Sequence, residues 1–174
     1  MLATAPEPKG KLDTMMAHAD AVAMAALGVN GPEGEVPGWD AIDWRTQEDN
    51  VRRLRQRIFA ASRDGDLKKV RSLQKLMLRS RSNALVAVRR VTELNAGRKT
   101  AGVDRQIVVT TSQKAELANW MQHHAQPWSP RPVKRVYVPK RNGRRRGLGI
   151  PVIADRALQA LTVNALEPEW EARC

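Results

Sequence analysis

The sequence predicts an α+β fold in which a helical N-terminal region is followed by a basic antiparallel β-hairpin and a closing helix. Apolar residues recur at helical spacing over 44–95. After the turn-forming run at 127–132 the period changes to two, and the pair Asn142-Gly143, a strong hairpin signal, separates two extended segments. Helical spacing then returns after Asp155.

The composition excludes several classes of protein. The chain has 174 residues, and 42% of them are hydrophobic, which is enough to bury a core. A single cysteine, Cys174, excludes an internal disulfide framework and a cysteine-based metal cluster. No apolar run approaches the roughly 18 residues of a membrane span, and no secretion signal is evident. We therefore expect a soluble protein of a reducing compartment.

The charge is distributed unevenly along the chain. Residues 1–43 hold two basic and seven acidic residues, whereas residues 44–174 hold 28 basic and 11 acidic ones, a net charge of +17. Such an excess repels itself in a compact protein and is usually tolerated for a polyanionic partner. Nucleic acid is the first candidate. A membrane partner is not expected, because the basic segments lack a Trp/Phe-rich apolar face.

Three regions are predicted. Residues 1–40 are rich in Ala, Gly and Pro and are expected to form a flexible acidic tail, with a short helix at 11–27 as an option. A helical region should cover 41–104. The segment 105–174 should contain the hairpin at 132–150 and the closing helix at 155–170.

The helix ends are predicted from capping residues. The first helix should begin at Trp44, with Asp43 or Thr46 as its cap, and end at Gly65. The other helices of this part are expected at 67–79, at about 84–95 with a new cap within 79–83 and Gly97 as its end, and at 112–124.

The hairpin is predicted from two strands that end at prolines. The first strand should run over 133–138 up to Pro139, and the second over about 144–150 up to Pro151. Both Asn142 and Gly143 tolerate the positive φ of a type I′ turn. Asp155 should then cap the closing helix.

Clustered cations point to a nucleic-acid backbone. Eight cations lie within residues 131–146, far more than protection of a solvated sheet edge would need. The helices carry outward cations too, and within 51–90 the only acids are Asp64 and Asp66, which makes an ordinary solvated face the weaker alternative. The predicted nucleic-acid ligands are Arg52, Arg53, Lys68, Lys69, Arg89, Arg90 and Lys99 in the helical region and Arg131, Lys134, Arg135, Arg141, Arg144 and Arg145 around the hairpin.

Catalytic patterns are lacking. His123 and His124 are adjacent on a helix and point in different directions, so a shared metal ion is not expected. We find no phosphate-binding loop, no dinucleotide fingerprint and no carboxylate pair with a two-metal setting. Taken alone, the residues predict an RNA or DNA binder without catalytic groups.

Three motifs nevertheless occur in one order: W-x-x-I-x-W at 39–44, T-A-G-V-D at 100–104, and R-x-Y-x-P-K…G…L-G-I-P…D-R-x-x-Q at 135–159. With them, residues 39–174 resemble the N-terminal part of group II intron-encoded reverse transcriptase/maturases. The resemblance implies that 44–104 grips intron RNA and the template strand, and that 131–159 forms the reverse-transcriptase fingers, whose hairpin closes over the primer–template.

The resemblance also implies roles for single residues. Lys140 and Arg146 match positions that bind the triphosphate of the incoming nucleotide. Gly147 stands where the family usually has proline, which suggests a looser hairpin or an altered nucleotide grip. Template contacts are implied for Gly102, Asp104, Arg156 and Gln159.

The family's catalytic aspartates lie in a palm that follows the fingers and have no counterpart in these 174 residues. Asp104 and Asp155 are not substitutes, because neither lies in a palm motif. We therefore expect no catalytic residue and no cofactor in this chain, with Mg²⁺ needed only in a complete polymerase, and no polymerisation by the chain alone. It would be a fragment, the front half of a split polymerase or a truncated relic.

The implied function is a contribution to RNA-directed DNA synthesis and to intron splicing and mobility. The alternative is a stand-alone RNA-binding splicing or chaperone factor. Expected partners are group II intron RNA, template-primer, and either the palm and thumb portion or a second copy, bound through an exposed apolar stripe on the closing helix (Leu158, Leu161, Leu166). The expected location is the bacterial cytoplasm, with association to the nucleoid as an option.

Overall fold

The computed structural model describes residues 38–123, 125 and 127–174. The predicted tail, except its last three residues, and the optional helix at 11–27 lie outside the described residues. The described elements confirm the α+β class. They are helices α1 (Trp44–Arg63), α2 (Leu67–Arg79), α3 (Arg81–Arg89) and α4 (Thr111–His123), strands β1 (Lys134–Pro139) and β2 (Arg145–Ile150), and helix α5 (Ile153–Glu171).

Capping side chains set where the first three helices begin. The Asp43 carboxylate accepts the Thr46 hydroxyl at 2.6 Å and the Thr46 N–H at 3.2 Å, and these bonds lower the pKa of Asp43. Asp66 and Ser80 cap α2 and α3 in the same way. Because Ser80 is the cap, α3 begins three residues earlier than predicted.

The third helix does not end at Gly97, as the sequence suggested. It widens into a π-helical turn over Arg90–Leu94 and stops at Asn95, whose N–H donates to the Arg90 carbonyl at 2.9 Å. Gly97 instead lies in a 3₁₀ turn over Ala96–Lys99. The polar loop that follows therefore starts from a fixed turn.

The closing helix α5 lies among the other helices and contacts α1, α2 and α3. Leu161 packs with apolar residues of α3 and α4, and Ala165 packs with α1 and α2. The predicted exposed stripe is therefore wrong for Leu161, which is buried, and for Leu158, which is half-buried; Leu166 is 41% exposed. Because α5 is apolar on more than one side, spacing alone could not identify its buried face.

Two asparagines join α5 to the α2–α3 turn. Asn83 is fully buried, and its Nδ2 donates to the carbonyls of Met77 at 3.0 Å and Leu161 at 3.1 Å. Its Oδ1 accepts the Nδ2 of Asn164 at 2.8 Å. Since α5 belongs to the segment 105–174 and its partners to 41–104, the two predicted segments share one core.

The hairpin turn differs from the predicted one. Of the pair Asn142-Gly143, only Gly143 has a positive φ, 75°. The Lys140 N–H donates to the Arg144 carbonyl at 2.7 Å, so the loop has three residues rather than the two of a type I′ turn. The Asn142 side chain accepts the Arg144 N–H at 3.3 Å and thereby supports the longer loop.

Replacing Asn83 with alanine should lower the free energy of unfolding by about 2–4 kcal/mol, because it removes three buried hydrogen bonds and leaves the Asn164 amide without its Asn83 partner. Chemical denaturation measures this loss. Asn50→Ala is the matched control: Asn50 is exposed and makes one hydrogen bond, to Ser82, so the change should be within about 0.5 kcal/mol. Equal effects of the two substitutions would contradict the assignment.

Candidate nucleic-acid interface

The strand register separates the hairpin side chains into two faces. Residues directly opposite each other, such as Tyr137 and Gly147 or Val138 and Arg146, share a face, and successive residues alternate between faces. One face, partly buried along Val136, Val138 and Ile150, carries Lys134, Val136, Val138, Arg146, Leu148 and Ile150. The other, hereafter the glycine face, carries Arg135, Tyr137, Pro139, Arg145, Gly147 and Gly149 and is exposed throughout.

Lys140 and Arg146, the residues implied to bind the nucleotide, lie on the same face near the tip. Lys140 continues the alternation of β1, since its N–H still donates to the opposite strand at Arg144. No carboxylate of the described residues lies within ion-pair distance of either cation. The structure thus places the two residues on one face of the hairpin, and their contact with a triphosphate stays a prediction.

The base of the hairpin is fixed to the start of α5 by Asp155. The prediction that Asp155 caps this helix is wrong, because α5 begins at Ile153 with Val152 in the cap position. The Asp155 carboxylate turns away from the helix and accepts the backbone N–H of Arg131 at 3.1 Å. Asp155 is only 4% exposed, and its Oδ1 has no hydrogen-bond partner in the described structure. Its role is to hold the chain that enters β1.

The next residue, Arg156, holds the loop over 97–104. Its guanidinium donates to the carbonyls of Gly97 at 2.9 Å and Thr100 at 2.7 Å. Burial lowers the pKa of Arg156, and the nearby Asp104 carboxylate opposes that shift. These contacts give Arg156 a structural role that the resemblance did not imply.

The same loop lies directly against the start of α5. A Cβ on Gly102 would lie 2.8 Å from the backbone N and Cα of Val152, so only glycine permits this approach. Asp104 accepts the Gln106 N–H at 3.1 Å and lies 3.8 Å from the Arg131 guanidinium. Four implied or predicted ligands, Gly102, Asp104, Arg131 and Arg156, therefore meet at this junction, whereas Gln159 is exposed on α5. Their contacts with nucleic acid stay predictions.

Several helix cations have carboxylate partners that lie outside the interval 51–90. Arg52 pairs with Asp49, and Arg55 pairs with Glu167 of α5 at 2.8 Å. Arg89 pairs with Glu48 at 2.8 Å, and its guanidinium lies 4.6 Å from the centroid of the Trp44 ring. All these acids lie outside residues 51–90, so the scarcity of acids in that interval did not mean that its cations were unpaired.

A second set of cations has no carboxylate partner within the described residues. Arg53 and Arg57, one turn apart on α1, line a shallow groove that also includes Leu76 of α2 and Ser80. The other members of this set include Lys68, Lys69, Arg90 and Lys99 in the helical region and Lys134, Arg135, Arg141, Arg144 and Arg145 on the hairpin. These side chains are exposed and form the part of the interface available to an external polyanion.

Glu93 was not among the predicted functional residues. Its carboxylate accepts the Trp39 indole N–H at 2.8 Å and the Lys114 ammonium at 2.9 Å. Burial raises the pKa of Glu93, but those two hydrogen bonds and the charges of Lys114 and Arg89 outweigh it, so the pKa lies below the ordinary value of 4.5. Glu93 thus joins the tryptophan motif at 39–44 to α4. The available signal was Trp39 itself, because a buried indole N–H needs an acceptor.

Within the described residues, no group of three His, Cys, Asp or Glu side chains could hold a metal ion. The same part of the chain contains no helix long and apolar enough to cross a membrane.

Parts of the chain are similar to known proteins. Residues 39–121 match the N-terminal domain of reverse transcriptase. The chain is 32% identical over 120 residues to maturase-like protein 1 of Euglena gracilis, which covers 69% of the chain and 26% of the relative. It is 39% identical over 93 residues to protein YkfC of Escherichia coli K12; this match covers 51% of the chain and 24% of the relative. It is 26% identical over 131 residues to maturase-like protein 1 of Euglena longa; this match covers 75% of the chain and 29% of the relative. The chain therefore spans about a quarter of the length of these relatives.

Replacing Glu93 with glutamine should make stability less dependent on acid pH. Because the folded state holds the pKa of Glu93 below 4.5, the carboxylate contributes stability above that pH and loses it as the pH falls through the lowered pKa. We expect the variant to be less stable by about 1 kcal/mol at pH 7, a value reduced for partial exposure. The difference should shrink toward pH 3. Urea denaturation across this range measures it, with the exposed Glu116→Gln as control; a difference that grew in acid would contradict the assignment.

Proposed function

Because the chain carries the N-terminal region of a group II intron reverse transcriptase/maturase, we propose that it supplies the RNA-holding and fingers part of such an enzyme. In this role it contributes to RNA-directed DNA synthesis and to intron splicing and mobility. The observation that carries the proposal is the set of cations on α1, on α2 and along the hairpin that have no carboxylate partner among the described residues. Carboxylates of the described residues pair with Arg52, Arg55 and Arg89 but not with this set.

The cations of the helical region would bind the phosphate backbone of a structured RNA. Arg53 and Arg57 line a groove beside the exposed apolar side chain of Leu76, and Lys68 and Lys69 extend the positive surface along α2. Neutralising phosphates with fixed cations releases counterions, which provides most of the affinity of such complexes. The proposed partner here is intron RNA, with template-primer RNA at the hairpin.

The cations near the hairpin tip are placed to bind the phosphates of the incoming nucleotide under this proposal. Phosphoryl transfer develops charge on the phosphates, and preorganised cations stabilise it. Lys140 and Arg146 lie on one face near the tip, where the hairpin would close over a triphosphate. In a complete polymerase the palm would supply the carboxylates that bind Mg²⁺. The proposed location is the bacterial cytoplasm.

A second candidate is an RNA-binding splicing or chaperone factor without catalysis, or the front half of a split polymerase. It is favoured by the same cations, which can hold RNA phosphates without a catalytic portion. All of these candidates require RNA binding. Nucleotide binding by Lys140 and Arg146 is required of a polymerase part, whether whole or split, but not of a splicing or chaperone factor. The two experiments below separate them.

RNA affinity of the chain should fall roughly 10³-fold or more between 50 and 200 mM salt, as expected for six or more phosphate contacts. The double substitution Arg53→Gln and Arg57→Gln should reduce the slope of log affinity against log salt by roughly 1.5 to 2. The control is Arg63→Gln, because Arg63 pairs with Asp64 and lies outside the groove. Fluorescence anisotropy with a structured RNA gives the slopes. A flat salt dependence of the wild type would contradict RNA binding by either candidate.

Lys140→Ala and Arg146→Ala should each raise the nucleotide KM by about 10-fold or more, because each removes a charge-assisted bond to phosphate. The measurement is steady-state DNA synthesis by this chain together with the catalytic portion of a polymerase. Arg63→Ala is the control, since Arg63 lies on α1 and pairs with Asp64. Unchanged KM in both variants would remove the nucleotide assignment and leave the splicing or chaperone factor.

A further inference from the structure

The glycine face of the hairpin presents an uncovered aromatic ring. Tyr137 is 62% exposed although it occupies the middle of β1. Its cross-strand neighbour is Gly147, and a Cβ there would lie 3.7 Å from Cε1 of the ring. Gly149, also on this face, adds no side chain that could shield the ring.

The two glycines differ in what requires them. A Cβ on Gly149 would lie 2.9 Å from Cγ2 of Val133, which is too close, so packing explains that glycine. At Gly147 the nearest atom is at ordinary contact distance, and its φ is not in the left-handed region. An alanine would therefore fit at 147. The consequence of glycine there is an open approach to the Tyr137 ring.

Two cations flank the ring on the same face. Arg135 is two residues away on β1, and Arg145 is diagonally opposite on β2, two residues from Gly147. Neither has a carboxylate within ion-pair distance among the residues that the structure describes. An exposed ring between unpaired arginines is the arrangement with which proteins bind single-stranded nucleic acid, bases on the ring and phosphates on the cations.

We propose that Tyr137 stacks on an unpaired base of a single-stranded RNA segment whose phosphates contact Arg135 and Arg145. The inference rests on the proposed function and deepens it, because it gives the glycine face a ligand separate from the nucleotide at Lys140 and Arg146. The competing explanation is structural: an aromatic side chain opposite a glycine stabilises a strand pair. That explanation predicts an effect of Tyr137 on stability without a selective effect on binding of bases.

The test compares two probes and two variants of the 174-residue chain. The probes are a short single-stranded oligouridine and inorganic polyphosphate, which has the charge but no bases. Tyr137→Val keeps a strand-forming residue without the ring, and Tyr137→Phe keeps the ring. We expect oligouridine to bind the valine variant about 5- to 150-fold more weakly than the wild type and the phenylalanine variant within about twofold of it. Polyphosphate affinity should stay the same in all three proteins.

Tyr137 is the single tyrosine of the chain, so a sample with labelled tyrosine gives one set of ring signals in an NMR spectrum. Stacking should move these signals upfield with oligouridine and not with polyphosphate. Equal oligouridine affinity in wild type and Tyr137→Val would overturn this inference and leave the proposed function standing. Equal weakening for both probes, together with a lower melting temperature, would show the structural role instead. Failure of the wild type to bind any RNA would overturn both proposals.

Discussion

The arrangement of the helical body depends on the hydrogen bonds between Asn83 and α5. Apolar packing alone constrains a helix weakly along its axis, because neighbouring side chains of similar size can exchange places. A buried amide tolerates no such shift, since each polar atom left without a partner costs about 1–3 kcal/mol. Asn83 reaches the Leu161 carbonyl and the Asn164 side chain, so it fixes one position of α5 along the α2–α3 turn. The last helix of the chain thereby completes the core that the first three begin.

Once α5 is fixed, its first turn fixes the hairpin and the 97–104 loop. Asp155 accepts the N–H of Arg131 where the chain enters the hairpin, and the chain leaves it through Pro151 into α5. Both ends of the ribbon are thus attached to one helix end. Arg156 and the close approach of Gly102 attach the neighbouring loop to the same place. Residues that a family motif suggests as ligands can therefore serve the interface indirectly, by orienting the cations beyond them.

Features set by neighbouring residues could be predicted from the sequence, and features set by distant ones could not. Asp43 caps α1 and Gly65, with φ of 75°, follows its end, as expected from residues a few positions apart. The partner of Arg55, by contrast, is Glu167, which is 112 residues away. Asp155 was predicted as a cap because aspartate is common there, but the helix begins two residues earlier and Asp155 bonds to Arg131, 24 residues away. The exposure of Leu161 was misjudged for the same reason, since the helices that cover it come from elsewhere in the chain.

The candidate interface is determined by which cations the carboxylates of the fold pair with, rather than by the total number of cations. Carboxylates from α5 and from the start of α1 neutralise the cations that face the protein, such as Arg55 and Arg89. Cations on the groove side of α1 and along both faces of the hairpin have no such partner in the described chain. A stable fold accepts unpaired, mutually repelling cations at a cost in free energy, and an external polyanion removes that cost on binding. One face of the hairpin carries valines and an isoleucine, and the glycine face carries Gly147 and Gly149. The hairpin cations are therefore divided between two surfaces of different shape. Under the two proposals made for the hairpin, that difference would let one ribbon hold a triphosphate on one side and an unpaired strand on the other.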